Sequence, residues 1–188
     1  MNRDMGRQPR NARSKGTRSA LLKAFATLVQ SKAYDALEVA DLTTLAGISR
    51  STFYAHYAGM EALLADSIAG PFAVLADAVQ PDFDESRLRA LLEHFWENRA
   101  AARAILAGTA RRKAADVLVG LIEDRLKSAG LHRPGAMALP PRLVAIQLAE
   151  ILLAPITAWL LGESHCSPAA LASGLRRSSR ALIGCAMP

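Results

Sequence analysis

A chain of 188 residues is long enough for one sizeable core or for a small domain joined to a larger one. It is 51% apolar with only 5% aromatic residues, and its abundant Ala and Leu lose little rotamer freedom in helices, which predicts an all-α fold. The formal charge of +6 is concentrated at one end: residues 1–32 carry Arg3, Arg7, Arg10, Arg13, Lys15, Arg18, Lys23 and Lys32 against Asp4, while the remainder holds 15 basic and 16 acidic groups. A basic arm beside a nearly neutral body is the electrostatic footprint of a nucleic-acid binder.

Other classes are disfavoured by what the residues do not spell. Cys166 and Cys185 form no Cys-x-x-Cys pair, and the four His show no ligand spacing with them, so neither a metal site, a cofactor site nor a disulfide framework is expected. There is no Gly-rich phosphate loop, no Gly-x-Ser-x-Gly and no His-Glu-x-x-His, so no catalytic residue is assigned and an enzyme is not expected. Basic residues at the N-terminus are followed by no apolar core before Leu21, unlike a secretory signal. The longest apolar stretch, Leu143 to Leu161, is interrupted by Gln147, Glu150 and Pro155, which suits a buried helix better than a membrane span. A cytoplasmic protein with no membrane partner is expected.

In chain order, residues 1–16 are polar, basic and without periodicity, and read as a flexible arm. Thr17 is a candidate N-cap for a first helix carrying Leu21, Leu22, Phe25, Leu28 and Val29 and ending near Tyr34. Leu37, Val39, Leu42, Leu45 and Ala46 mark a short second helix, stopped by Gly47 because glycine tolerates the left-handed conformation of a helix C-terminus. Ser49 is placed to cap a third helix over 50–57. A fourth runs from Glu61 towards Val79, with a kink or break predicted at Gly70-Pro71. Five more follow: about 84–98, 100–107, 109–129, 142–161, and a last one after Ser167-Pro168. The count is about nine helices, divided into an arm (1–16), a DNA-binding domain (17–64) and a C-terminal domain (65–188).

Short helix, Gly-centred turn and short helix make a helix-turn-helix, whose second helix lies in the DNA major groove. At 100° per residue, Phe53 and Tyr57 fall on one face of the third helix, able to anchor it to Leu42, Leu45 and the first helix. Ser51, Thr52 and Ala55 fall opposite, with Tyr54 and His56 flanking them. Short donors and acceptors of this kind suit phosphate oxygens and base edges.

The stretch YDALEVADLTTLAGISRSTFYAHYAGMEALL resembles the DNA-binding domain of TetR-family transcriptional regulators, with order and spacing matched over roughly Thr17 to Leu64. Its most specific positions are Leu42, Ala46 to Ser49, Thr52 to Tyr54, His56-Tyr57, Glu61 and Leu63-Leu64. The resemblance implies that Arg50, Ser51 and Tyr54 lie over base edges, that Thr52 and His56 hold phosphates, and that Ser49 caps the helix and can reach a base. Two positions depart from the family: Glu38 where Thr is usual, and Met60 where Lys is usual. Losing a phosphate contact at Met60 shifts weight to the arm, so Arg10, Arg13, Lys15 and Arg18 are expected to reach the backbone or minor groove, and Thr17 joins the expected DNA contacts.

The same resemblance implies a homodimer on a palindromic double-stranded operator, joined through the last two helices, for which Ile146, Ile151, Leu153, Ala154, Thr157, Leu171, Leu175 and Leu182 are the expected interface. It further implies an effector, an unidentified small molecule bound in the larger domain. Apolar wall candidates are Phe72, Leu75, Phe95, Trp96, Leu106, Leu121 and Trp159, with His94, Gln147 and Glu150 as polar ones. The expected activity is that of a dimeric repressor released from its operator by the ligand. An architectural DNA binder without operator preference is the alternative.

Overall fold

A computed structural model of the chain describes residues 7–131, 133 and 136–187, with side chains described from Ser14 onwards. Among these residues it is wholly helical: α1 (Arg7–Leu28), a 3-10 turn (Tyr34–Ala36), α2 (Val39–Ala46), α3 (Arg50–His56), α4 (Met60–Asp77), α5 (Glu85–Glu97), α6 (Arg99–Leu106), α7 (Arg111–Ser128), α8 (Pro141–Leu161) and α9 (Pro168–Ala186). Two compact units divide the chain, Met1–Ser67 and Ile68–Pro188, and the division falls within α4.

Three local expectations are corrected. α1 begins at Arg7 and not at Thr17, so residues 7–16 are helical where a flexible arm was expected; residues 1–6 lie outside the described part. The stretch tolerates this because Arg, Gln, Lys and Ala are good helix formers, and Pro9 falls in the first turn, where its missing N–H has no helical partner to lose. Likewise, of the kink or break expected at Gly70-Pro71, the break is absent: α4 runs through Pro71 as one helix. Leu45, expected to anchor α3, is 51% exposed, leaving Leu42 as the buried leucine of α2.

In the first unit α1 packs on α2 and α2 on α3. Leu21, Phe25, Leu42, Phe53, Leu63 and Leu64 are fully buried, and Phe25 meets Tyr34 edge-on at 6.4 Å between ring centroids. Burying side chains of this size is worth about 1.5–3 kcal/mol each, which is what holds helices too short to persist alone.

In the second unit α8 is the central element, packing against α6, α7 and α9, while α5 packs on α9. Val144, Leu148, Leu152, Ile156 and Trp159 are buried along α8. By length and composition α8 is apolar enough to cross a membrane, but half of its most apolar window is buried inside the chain, as in the core helix of a globular domain. The end of α4 is tied to α9 by Arg176, whose guanidinium donates to the carbonyls of Ala78 (2.6 Å), Gln80 and Pro81 (2.5 Å) and lies 5.7 Å from the Phe83 ring centroid. Asp77 accepts from Arg125 at 2.7 Å in the same region.

Candidate nucleic-acid interface

The turn before α3 is set by backbone geometry. Gly47 has φ 66° and ψ 35°, the left-handed region, and lets its own N–H reach the Thr44 carbonyl (3.3 Å) while the Ile48 N–H reaches that of Thr43 (3.0 Å). This paired closure satisfies carbonyls left open at the end of α2 and reverses the chain within two residues. At the other end of α2, Glu38 is the N-cap and closes a capping box with Asp41, its N–H donating to the Asp41 carboxylate at 2.9 Å. Lys32 also donates to Asp41, at 2.6 Å, and these two donors, Lys32 first, hold the carboxyl below its ordinary range. The acidic residue at the unusual position is therefore used in capping.

Ser49 is the N-cap of α3 and accepts from the Thr52 N–H at 3.1 Å. Its Oγ also lies 2.9 Å from the Ser51 hydroxyl and 2.8 Å from that of Thr52, so three hydroxyls form one small network at the start of the helix. Arg50, Ser51 and Tyr54 are exposed, Tyr54 to 55%, whereas Thr52 and His56 are half-buried. Phe53 is fully buried and Tyr57 nearly so, with ring centroids 5.9 Å apart. The base-reading candidates are thus exposed, while the helix is fixed by the buried aromatics Phe53 and Tyr57.

The far end of α3 is held by a cluster that the sequence did not flag. Asp66, on α4, accepts the Tyr57 hydroxyl on Oδ2 at 2.5 Å and the Arg18 Nε on the same oxygen at 2.7 Å, while Arg18 Nη2 donates to Oδ1. Arg18 beside it holds the Asp66 carboxyl below the usual range. Burial first, then the facing carboxylate, push the Tyr57 phenol up to about 12. A signal existed in Asp66 itself, an acid that follows the apolar run ALLA. Its partners, 48 and 9 residues away, could not be read without the fold.

Arg18 therefore faces Asp66 within its own unit. Lys15 is exposed and lines, with Ser19, Leu22 and Lys23, a groove of about 410 Å³ along α1; Thr17 is half-buried, and the Arg10 and Arg13 side chains lie outside the described residues.

The expected effector-site residues divide by exposure. Phe72, Leu75, Phe95, Leu106 and Trp159 are buried in the core, and Leu121 is half-buried, whereas His94, Gln147 and Glu150 are exposed. His94 lies 3.2 Å from the Asn98 amide nitrogen on its own helix, and Glu150 accepts from Arg111 at 2.7 Å. Trp96, 40% exposed, rests on Trp159 with 4.8 Å between centroids. Glu150 instead borders a groove of about 610 Å³ with Thr109, Arg111, Arg112, Val119 and Ile146.

The expected interface set divides in the same way. Leu153 and Leu175 are buried in the chain's own core and are corrected to core residues; Ile146 and Ala154 are exposed, and Ile151, Thr157, Leu171 and Leu182 half-buried. Among the described residues no group of three or more His, Cys, Asp or Glu is placed to hold a metal ion.

Residues 21–66 match the family model of the N-terminal domain of bacterial regulatory proteins of the tetR family. Solved structures share the fold over nearly the whole chain. A TetR transcriptional regulator from Streptococcus agalactiae 2603V has a TM-score of 0.60 at 22% identity, covering 92% of this chain and 98% of its own. NalD of Pseudomonas aeruginosa, the secondary repressor of the MexAB-OprM multidrug efflux pump, has a TM-score of 0.54 at 16% identity, covering 93% and 98%. AlkX, a TetR-family repressor from a Dietzia strain implicated in n-alkane biodegradation, has a TM-score of 0.50 at 19% identity, covering 90% and 98%. At these identities the likeness is one of fold. No curated protein matches by sequence.

Proposed function

We propose that this chain, which belongs to the TetR family of bacterial regulatory proteins, is a cytoplasmic, sequence-specific repressor that binds a palindromic operator as a homodimer and is released by a small-molecule effector. The observation that carries the reading is how exposure divides along α3: Arg50, Ser51 and Tyr54 are exposed, while Phe53 and the C-cap Tyr57 are buried. An arginine can make two hydrogen bonds to guanine, and the tyrosine and serine hydroxyls can donate or accept at base edges. Lys15 and the helical N-terminal extension supply positive charge for phosphates, taking up what Met60 cannot provide.

Dimerisation is supported by Leu143, Ile146 and Leu161, three large apolar side chains of α8 that stay exposed in the single chain. A two-fold dimer carries two α3 helices, which fit half-sites about 34–36 Å apart. The effector acts by population shift, binding better to a form whose α3 spacing no longer matches the operator.

Selection of bound duplexes from a random library tests the reading. A shared palindromic sequence is expected, with affinity well above that for unrelated duplex; equal affinity for all duplexes would establish the architectural alternative. Light scattering on the eluted protein gives the oligomeric state, and screening small molecules for release of the selected duplex tests the effector.

A further inference from the structure

The recognition helix has only seven residues, about 10 Å of rise, and cannot hold its own direction. Its start is fixed by the Gly47 turn and the Ser49 cap. Its end is Tyr57, the C-cap, where the backbone turns extended at φ −134° and ψ 135°. Arg50, Ser51 and Tyr54 lie between these two fixed points, so the angle at which they meet DNA depends on both.

From this geometry we infer that Asp66 is a positioning residue for DNA recognition, fixing the end of α3 through the Tyr57 hydroxyl while Arg18 of α1 holds the carboxylate in place. Arg18 thereby acts through Asp66 and not through a phosphate. The carboxylate suits the task because one oxygen takes both Nε and the phenol and the other takes Nη2, so two helices and the chain after α3 meet at one planar group. A reading group must be held within about 0.5 Å of its working position, and a short helix loose at one end does not meet that tolerance. The inference rests on the DNA-binding reading above and adds a residue to it that touches no base.

The test uses the full chain and the duplex it selects from a random library, with an unrelated duplex as reference. Tyr57→Phe removes only the hydroxyl and keeps the buried ring. It is expected to weaken binding to the selected duplex about tenfold, the size of one hydrogen bond to a charged group, and to leave the unrelated duplex nearly unaffected. Asp66→Asn and Arg18→Met are expected to act in the same direction, and their combination to be no weaker than Asp66→Asn alone. The slope of log affinity against log salt should stay unchanged in all of them.

A variant that merely lowered the folded fraction would weaken both duplexes equally, so the ratio of the two affinities reports positioning. Should Asp66→Asn fail to fold, Tyr57→Phe still decides. An unchanged ratio in Tyr57→Phe overturns the inference, as does an Arg18→Met variant whose salt slope falls by about 0.9 and whose loss adds to that of Asp66→Asn, because Arg18 would then be a phosphate contact. If the unmodified chain selects no sequence, the DNA-binding reading itself fails, and this inference with it.

Discussion

Each unit ties helices together with an arginine, but the two arginines work in different surroundings. Arg18 is more than half exposed and meets a carboxylate, whereas Arg176 is 7% exposed and donates to three backbone carbonyls. An exposed ion pair is screened by water and contributes little to stability. A buried guanidinium is costly to desolvate, and burial indeed pushes the Arg176 proton affinity down. Its partners lie just beyond the end of α4, where helix carbonyls lack donors and the macrodipole is negative. The first arrangement sets geometry at small energetic cost, and the second holds structure.

This contrast is broken most directly at Arg176. Replacing it with Met keeps much of the volume but leaves the Ala78, Gln80 and Pro81 carbonyls without their donor, which should cost about 3 kcal/mol in urea unfolding. Arg18→Met should cost clearly less in the same experiment. Equal losses would show that burial does not separate the two.

A second comparison sets reading against positioning. Arg50 is exposed at the start of α3, and Arg50→Ala is expected to cost about 1–3 kcal/mol at one base pair of the operator and to relax specificity there. Uniform weakening on every duplex would identify it as a phosphate contact. Gly47→Ala comes next, at about 1 kcal/mol of stability, because a Cβ is strained at φ 66° although nothing crowds it. Ser49→Ala should cost about the same through loss of the cap. Thermal unfolding of both variants checks these values.

How much of this could be read from the chain differs between the two units for a physical reason. The turn at Gly47, the cap at Ser49 and the inward aromatics at Phe53 and Tyr57 follow from local chemistry, and the structure places each of them as the residues imply. Leu45 misled because an apolar side chain at helical spacing says nothing about whether a neighbour covers it. Residues 7–16 looked irregular because Pro9 and Gly16 read as breakers, although Pro9 sits in the first helical turn. In the larger unit, periodicity marks apolar faces but not their occupants, so Leu153 and Leu175 proved to be core. The Arg18, Tyr57 and Asp66 cluster and the Arg176 lock join residues up to 98 positions apart, a separation that composition and spacing do not encode.

The last expected effect is a pH dependence, and it isolates the Tyr57 phenol. Its folded value of about 12 lies above the ordinary 10.0, so folding favours the protonated form. Below pH 10 both folded and unfolded chains keep the proton, and the contribution is fully present. Between about 10 and 12 the unfolded chain gives up the proton first, so stability falls as pH rises. Tyr57→Phe has no proton to lose there, and the stability difference between the two proteins should drift in favour of the variant across that window. Arg18 remains charged throughout, since Asp66 raises its proton affinity further, so the drift belongs to the phenol alone. Parallel unfolding curves from pH 9 to 11.5 would show instead that the hydroxyl is free to ionise in the folded protein, and that Asp66 does not hold it.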